Sequence, residues 1–244
     1  MLNLIQTEFL KLRRRILIPL MLLAALFMPF FTLMYFNYFG KKGIDPLQFY
    51  KMSAFGYTMF IILPFILGIL CTMIMHDENQ NDMLKQLWIV PISKTGFFIS
   101  KFFVVLAYSI CFMLITAVAS VLFSVLSGYV VFELGSVLYL LERCLEIGVL
   151  TAFAMLPILA LATSRKGYIL PVSLTLVYAF FGFFMMGMNM YLHPITSTAT
   201  IIMRNGDIPG LEFTQAISVP LALLCICIWD IAATILARIS LGRK

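Results

Sequence analysis

Three acidic side chains stand where an apolar chain gives a carboxylate the chance to do chemistry. Asp230 lies within the apolar run 216–237. Glu142 and Glu146, four residues apart and so on one face of a helix, precede another such run with Arg143 beside them. A carboxylate at the centre of a membrane helix costs on the order of 2.5–3.5 kcal/mol on insertion scales, so Asp230 is expected to face other helices or water. It reads either as a proton or substrate site or as an interhelical hydrogen bond, and nothing ionisable stands near it in sequence. Glu142 and Glu146 could attract a cationic substrate, or form a solvated helix end. His76 and His193 are expected on opposite sides of a membrane and cannot share a metal. No GxxxxGK[ST] phosphate loop, HExxH pair or GxSxG elbow occurs, so neither nucleotide hydrolysis nor hydrolase chemistry is expected, and neither a metal nor a cofactor is assigned to this chain.

The elements that position these residues follow from composition. The chain is 62% hydrophobic and 11% charged, with mean hydropathy +1.03, far from the roughly 45–50% and 25% of soluble domains. It reads as one all-α, polytopic membrane domain. At about 20 apolar residues per span, the pattern gives six, over 16–37, 53–75, 102–126, 147–163, 168–190 and 216–237. Pro64 and Gly68 in the second suggest a kink or a close helix contact. All five cysteines, Cys71, Cys111, Cys144, Cys225 and Cys227, fall in apolar segments and imply no disulfide framework. If both termini are cytoplasmic, twelve of the seventeen Lys and Arg fall on the inner side and five outside, as the positive-inside rule requires. The net charge of +6 is thereby assigned to the inner leaflet, with no need of nucleic acid.

Three polar-rich segments punctuate this frame. Residues 1–15 place Leu2, Ile5, Phe9 and Leu12 at helical spacing ahead of Lys11, Arg13, Arg14 and Arg15, the pattern of an amphipathic interface helix. The run that follows is too long for a signal-peptide core and lacks a cleavage site. Residues 76–94 are the longest well-marked polar interruption. Here Asp77 is expected to N-cap a short helix with Gln80 reaching back and Glu78 in the first turn. Met83, Leu84, Leu87 and Trp88 would form one apolar stripe, with Asn81, Asp82, Lys85 and Gln86 beside it. Pro91 ends that helix and Ser93 caps the next. Residues 191–214 are expected to form an outer folded or re-entrant piece.

In this order and spacing, the opening Thr7-Glu8-Phe9-Leu10-Lys11-Leu12-Arg13-Arg14 and the stretch from Asp77 and Glu78 through Leu87, Pro91, Ile92, Ser93 and Lys101 resemble the permease subunits of type-2 ABC transporters. In length and short outer loops the chain looks most like the permeases of lantibiotic immunity, antimicrobial-peptide resistance and bacitracin resistance. The resemblance implies a multi-pass plasma-membrane exporter subunit. It implies partnership with a separate ABC ATPase in two copies, which binds ATP and Mg, and with a second permease, identical or similar. It also implies a cytoplasmic coupling helix between spans two and three, contacting the ATPase through Asp77, Glu78, Asn81, Asp82, Leu84, Leu87, Trp88 and Pro91, and a cationic or amphiphilic peptide as cargo. The rival expectation is a proton-coupled secondary transporter using Asp230 or Glu146, for which inverted repeats and broken midplane helices would speak; the sequence displays neither clearly.

Overall fold

The computed structural model describes residues 2–13, 15–39, 45–80, 93–165, 167–205 and 217–242, and among these all regular structure is helical. An amphipathic helix, α1 (Leu2–Arg13), leads into α2 (Leu17–Phe39), α3 (Pro46–Asn79), α4 (Lys94–Leu126) and α5 (Leu134–Ser164). Then come α6 (Ile169–Met185), the short α7 (Pro194–Ile202) and α8 (Val219–Gly242). Five of these, α2, α3, α4, α5 and α8, are long and apolar enough to cross a membrane, and α6 is apolar but 17 residues long.

Prolines shape the long helices, and partner side chains repair what they break. Pro29 in α2 has no N–H to give Ala25, and the carbonyl left over accepts from Thr116 Oγ1 of α4 at 3.3 Å. Pro64 withholds the same bond from Phe60, and the preceding turn of α3 widens to a π-type geometry over Thr58–Ile62. In α5 the helix breaks at Met155, two residues before Pro157. The Ile158 amide then bonds Met155, and the Ala154 carbonyl accepts from Tyr178 Oη of α6 at 2.7 Å. The breaks at Pro29 and Pro157 are therefore also cross-helix ties.

Small residues set the closest crossings. Gly148 of α5 lies so near α4 that a Cβ there would meet the Ile110 Cα and Ser109 carbonyl at 3.3 Å, while Ser109 Oγ donates to the Gly148 carbonyl at 2.7 Å. The Pro64–Gly68 region makes the close contact its composition suggests, since a Cβ at Gly68 would come 2.0 Å from Thr175 Cγ2 of α6. All nine residues of α7 are buried. Its hydroxyls are spent on neighbouring carbonyls: Thr196 on Gly182, Ser197 on Met190 and Thr198 on Leu150.

Several helices extend past the expected spans. Asp45 caps α3 by accepting from the Leu47 amide, with Pro46 in the first turn, so helix begins at Pro46, ahead of the span expected from 53. Ser93 caps α4 by accepting from Gly96 at 3.1 Å. Helix α5 runs from Leu134 and carries Glu142 and Glu146 inside it.

The expected helix start at Asp77 is corrected. Asp77 and Glu78 are in the last turns of the helix Leu63–Gln80, which continues from the second apolar run without a break. Carboxylates at a helix C-terminus oppose the macrodipole, but here cations from α1 and α4 offset them, so nothing forces the chain to break and restart. Asn81, Asp82, Met83, Leu84, Leu87, Trp88 and Pro91 lie outside the described residues, as does most of the 205–214 part of the expected outer piece.

Candidate functional site

The ends of α3 and α4 that bracket residues 81–92 are bound together, and to α1, by buried charges. Lys101 sits two turns into α4 and is 1% exposed. Its ammonium donates to Glu8 of α1 in a very short contact, and to Glu78 Oε1 of α3 at 2.8 Å. The Phe97 ring, one turn earlier on α4, lies 5.1 Å from the same nitrogen. Lys11 closes the ring, donating to Glu78 Oε1 at 2.7 Å and to Glu8 Oε1 at 3.1 Å. Glu8 and Lys11 reach this point together because i,i+3 spacing puts them on one face of α1. Two carboxylates and two ammoniums balance, which is what permits Glu8 and Glu78 to be only 3% and 2% exposed. Burial by itself would lower the Lys11 pKa; the hydrogen bond and charge of Glu78, with Glu8, outweigh it and the value is raised.

Two further contacts brace the same end. Arg15 meets Asp77 at 2.7 Å, both partly exposed, so this pair contributes less than the buried ring. Asn79 Nδ2 donates to the Arg165 carbonyl at 3.0 Å, tying the end of α3 to the end of α5. The last residues of α8 arrive here too, since Gly242 lies close to the Lys94 ammonium. Lys11, Arg15, Lys94, Lys101 and Arg165 thus gather at one end of the bundle. Of the expected coupling residues, Asp77 and Glu78 are both in this assembly. Glu8, Lys11 and Lys101 are members that periodicity gave no reason to pair.

The acidic substrate candidates lie elsewhere. Glu146 is about 27 Å along α5 from its Ser164 end at 1.5 Å per residue. It accepts from Arg143 Nη1 at 2.5 Å and from Arg204 Nη1 at 2.5 Å and Nη2 at 3.3 Å. Its charge is thereby answered twice. Arg143 is buried, with its guanidinium 5.3 Å from the Tyr139 ring. Glu142 is exposed. Asp230 occupies the middle of α8, where its Oδ1 is buried without a hydrogen-bond partner among the described residues, beside Trp229, whose indole donates to the Leu192 carbonyl at 3.1 Å. His193 caps α7 with Nδ1 accepting from Ile195, packs against Tyr178 and Trp229, and is at neither Glu146 nor the charged ring. No group of three or more His, Cys, Asp or Glu among the described residues could hold a metal.

The charged ring is an ionic joint between three helices, α1, α3 and α4, two of which flank the polar interruption.

A search of curated proteins finds no match to the chain. The family model described as "ABC-2 family transporter protein" matches residues 4–182. That range contains all but the first two residues of α1, the helices on either side of residues 81–92 and every member of the charged ring. The chain belongs to the ABC-2 family of transporter proteins and is the membrane permease of an ABC transporter, the part that lies in the bilayer and partners an ABC ATPase.

Proposed function

We propose that this permease exports an amphiphilic substrate, an antimicrobial peptide or another membrane-active amphiphile, out of the membrane or the cell. In this reading two ATPase copies and a second permease, identical or similar, complete the transporter, and ATP and Mg are bound on the ATPase. The basic end of the bundle and both termini face the cytoplasm. Helix α6 is the sixth span, at the short end of the roughly 17–25 residues a crossing takes, and α7 is a re-entrant piece on the outer side. Residues 81–92 dock on the ATPase, and the charged ring passes their displacement to α1, α3 and α4.

The observation that carries the reading is that ring, because it joins the interface helix to both helices leaving the polar interruption. Leu84→Ala with Leu87→Ala is the direct test. Apolar anchors of a docking surface are worth roughly 2 kcal/mol or more each, so the double variant should insert normally yet lose ATPase co-purification and transport-linked ATP hydrolysis. Full retention of both would sink the coupling role.

Orientation is tested separately. In a cysteine-free background, Ser93→Cys should resist an impermeant thiol reagent applied to intact cells, and Glu133→Cys, at the start of α5, should react. The reverse pattern would invert the topology. A proton-coupled carrier remains the second reading, supported by the mid-helix position of Asp230 and its unpartnered oxygen. ATP-independent, pH-driven transport lost in Asp230→Asn would favour it.

A further inference from the structure

The outer part of the bundle holds a cleft of about 510 Å³, within the roughly 300–1,000 Å³ of small-ligand sites. Its walls are apolar: Leu145, Val149 and Leu150 of α5, Ile201 of α7, Val219 and Leu223 of α8. Leu145 and Leu223 are exposed on the outer surface of the bundle, so an apolar ligand can reach the cleft sideways from lipid. Among the described residues, the polar members of the lining are Glu146 and Arg204.

The chemistry of those two decides what head group fits. Arg204 spends both Nη1 hydrogens, on Glu146 Oε1 and on the Ile201 carbonyl at 3.1 Å, and one Nη2 hydrogen on Glu146 Oε2. A guanidinium has five N–H donors. The pair with no partner among the described residues, Nε–H and the second Nη2–H, are adjacent and parallel, the fork that takes a carboxylate or phosphate with two bonds. Arg204 is one-third exposed in its side chain, so this edge can be reached. Glu146 is already shared between two guanidiniums, so its charge is answered from both sides. Glu142, one turn further along α5, is exposed and does not line the cleft.

We infer that this cleft binds an amphiphile with an anionic head, drawn from the surrounding bilayer, its apolar part against α5 and α8 and its phosphate or carboxylate on the free edge of Arg204. The inference rests on the reading of the permease as a carrier of amphiphiles and narrows it, since a cationic head would meet a carboxylate that is already occupied.

The test is native mass spectrometry of the purified permease titrated with dioleoyl phosphatidylglycerol or dioleoyl phosphatidylcholine. Wild type should bind the anionic lipid about tenfold more tightly, the effect of one charge-assisted contact. Arg204→Gln should erase that preference. Glu146→Gln should strengthen it, by freeing a second guanidinium edge, whereas a cationic-ligand site would weaken. Leu223→Trp, which fills the cleft from its lipid side, should lower occupancy by both lipids and leaves every charge in place. Equal binding of the two lipids by wild type, a preference unchanged in Arg204→Gln, or displacement of the lipid by inorganic phosphate at equal concentration would each overturn the assignment. ATPase co-purification with wild type and its loss in the Leu84→Ala, Leu87→Ala variant are read independently, so failure of the lipid site is distinguishable from failure of the transporter reading.

Discussion

Lys101→Met is expected to lower the stability of the folded permease by about 3–5 kcal/mol, the cost of removing one partner from a buried ion pair. The side chain is 1% exposed and answers two carboxylates that are themselves almost fully enclosed. With the ammonium gone, Glu8 and Glu78 share, among the described residues, only Lys11, whose side chain is 43% exposed. Met fills nearly the same volume, so lost packing is not the cause. The measurement is thermal unfolding in detergent, followed by size-exclusion recovery. A companion variant separates stability from transmission. Lys101→Met with Glu8→Leu removes one charge of each sign and leaves the Lys11–Glu78 pair, so most of the stability should return. The ionic tie between α1 and α4 stays broken, and ATP-driven transport should stay low if the ring carries the stroke. Wild-type melting together with full transport in Lys101→Met would refute both roles.

The charged ring also marks how far sequence reasoning reaches. The apolar runs and the helix cap at Ser93 are local signals, and they are legible because a cap acts within a few residues. The ring is not local: Lys101 is 93 residues from Glu8 and 23 from Glu78, separations over which periodicity says nothing. One signal was available. Lys101 stands among Phe97, Phe98, Phe102 and Phe103, and a cation in such a run must find carboxylates; Glu8 and Glu78 are among the few acids near an apolar boundary. The same blindness placed a helix start at Asp77. Read alone, Asp77 and Glu78 look like N-terminal residues, and only the cations brought by α1 and α4 make a C-terminal position tolerable. Glu146 stands beside Arg143 in sequence and pairs with it, but Arg204, 58 residues away, answers its charge a second time, so it no longer invites a cation.

Gly68→Leu is expected to cost about 3 kcal/mol, at the upper end of the usual range for overpacking, and to separate α3 from α6. A Cβ at this position would lie 2.0 Å from Thr175 Cγ2, 2.5 Å from its Oγ1 and 2.8 Å from its Cβ. The threonine cannot simply swing aside. Its side chain is β-branched and stiff at χ1, its hydroxyl donates to the Pro171 carbonyl at 2.9 Å, and turning χ1 moves Cγ2 and Oγ1 but not Cβ. The backbones must therefore part, at a crossing where the only alternative filler is lipid, so the loss is one of packing rather than of hydrophobic burial. Gly68→Ala should show the same effect at smaller size, because the gain in helix propensity of about 1 kcal/mol offsets part of the strain. Thr175→Ala should then rescue Gly68→Ala in large part, since it removes the two closest contacts and leaves the one at 2.8 Å. The readout is the melting temperature of the single and double variants, taken as a double-mutant cycle. Additive losses from Gly68→Ala and Thr175→Ala, with no rescue, would mean that α3 and α6 do not meet at this point.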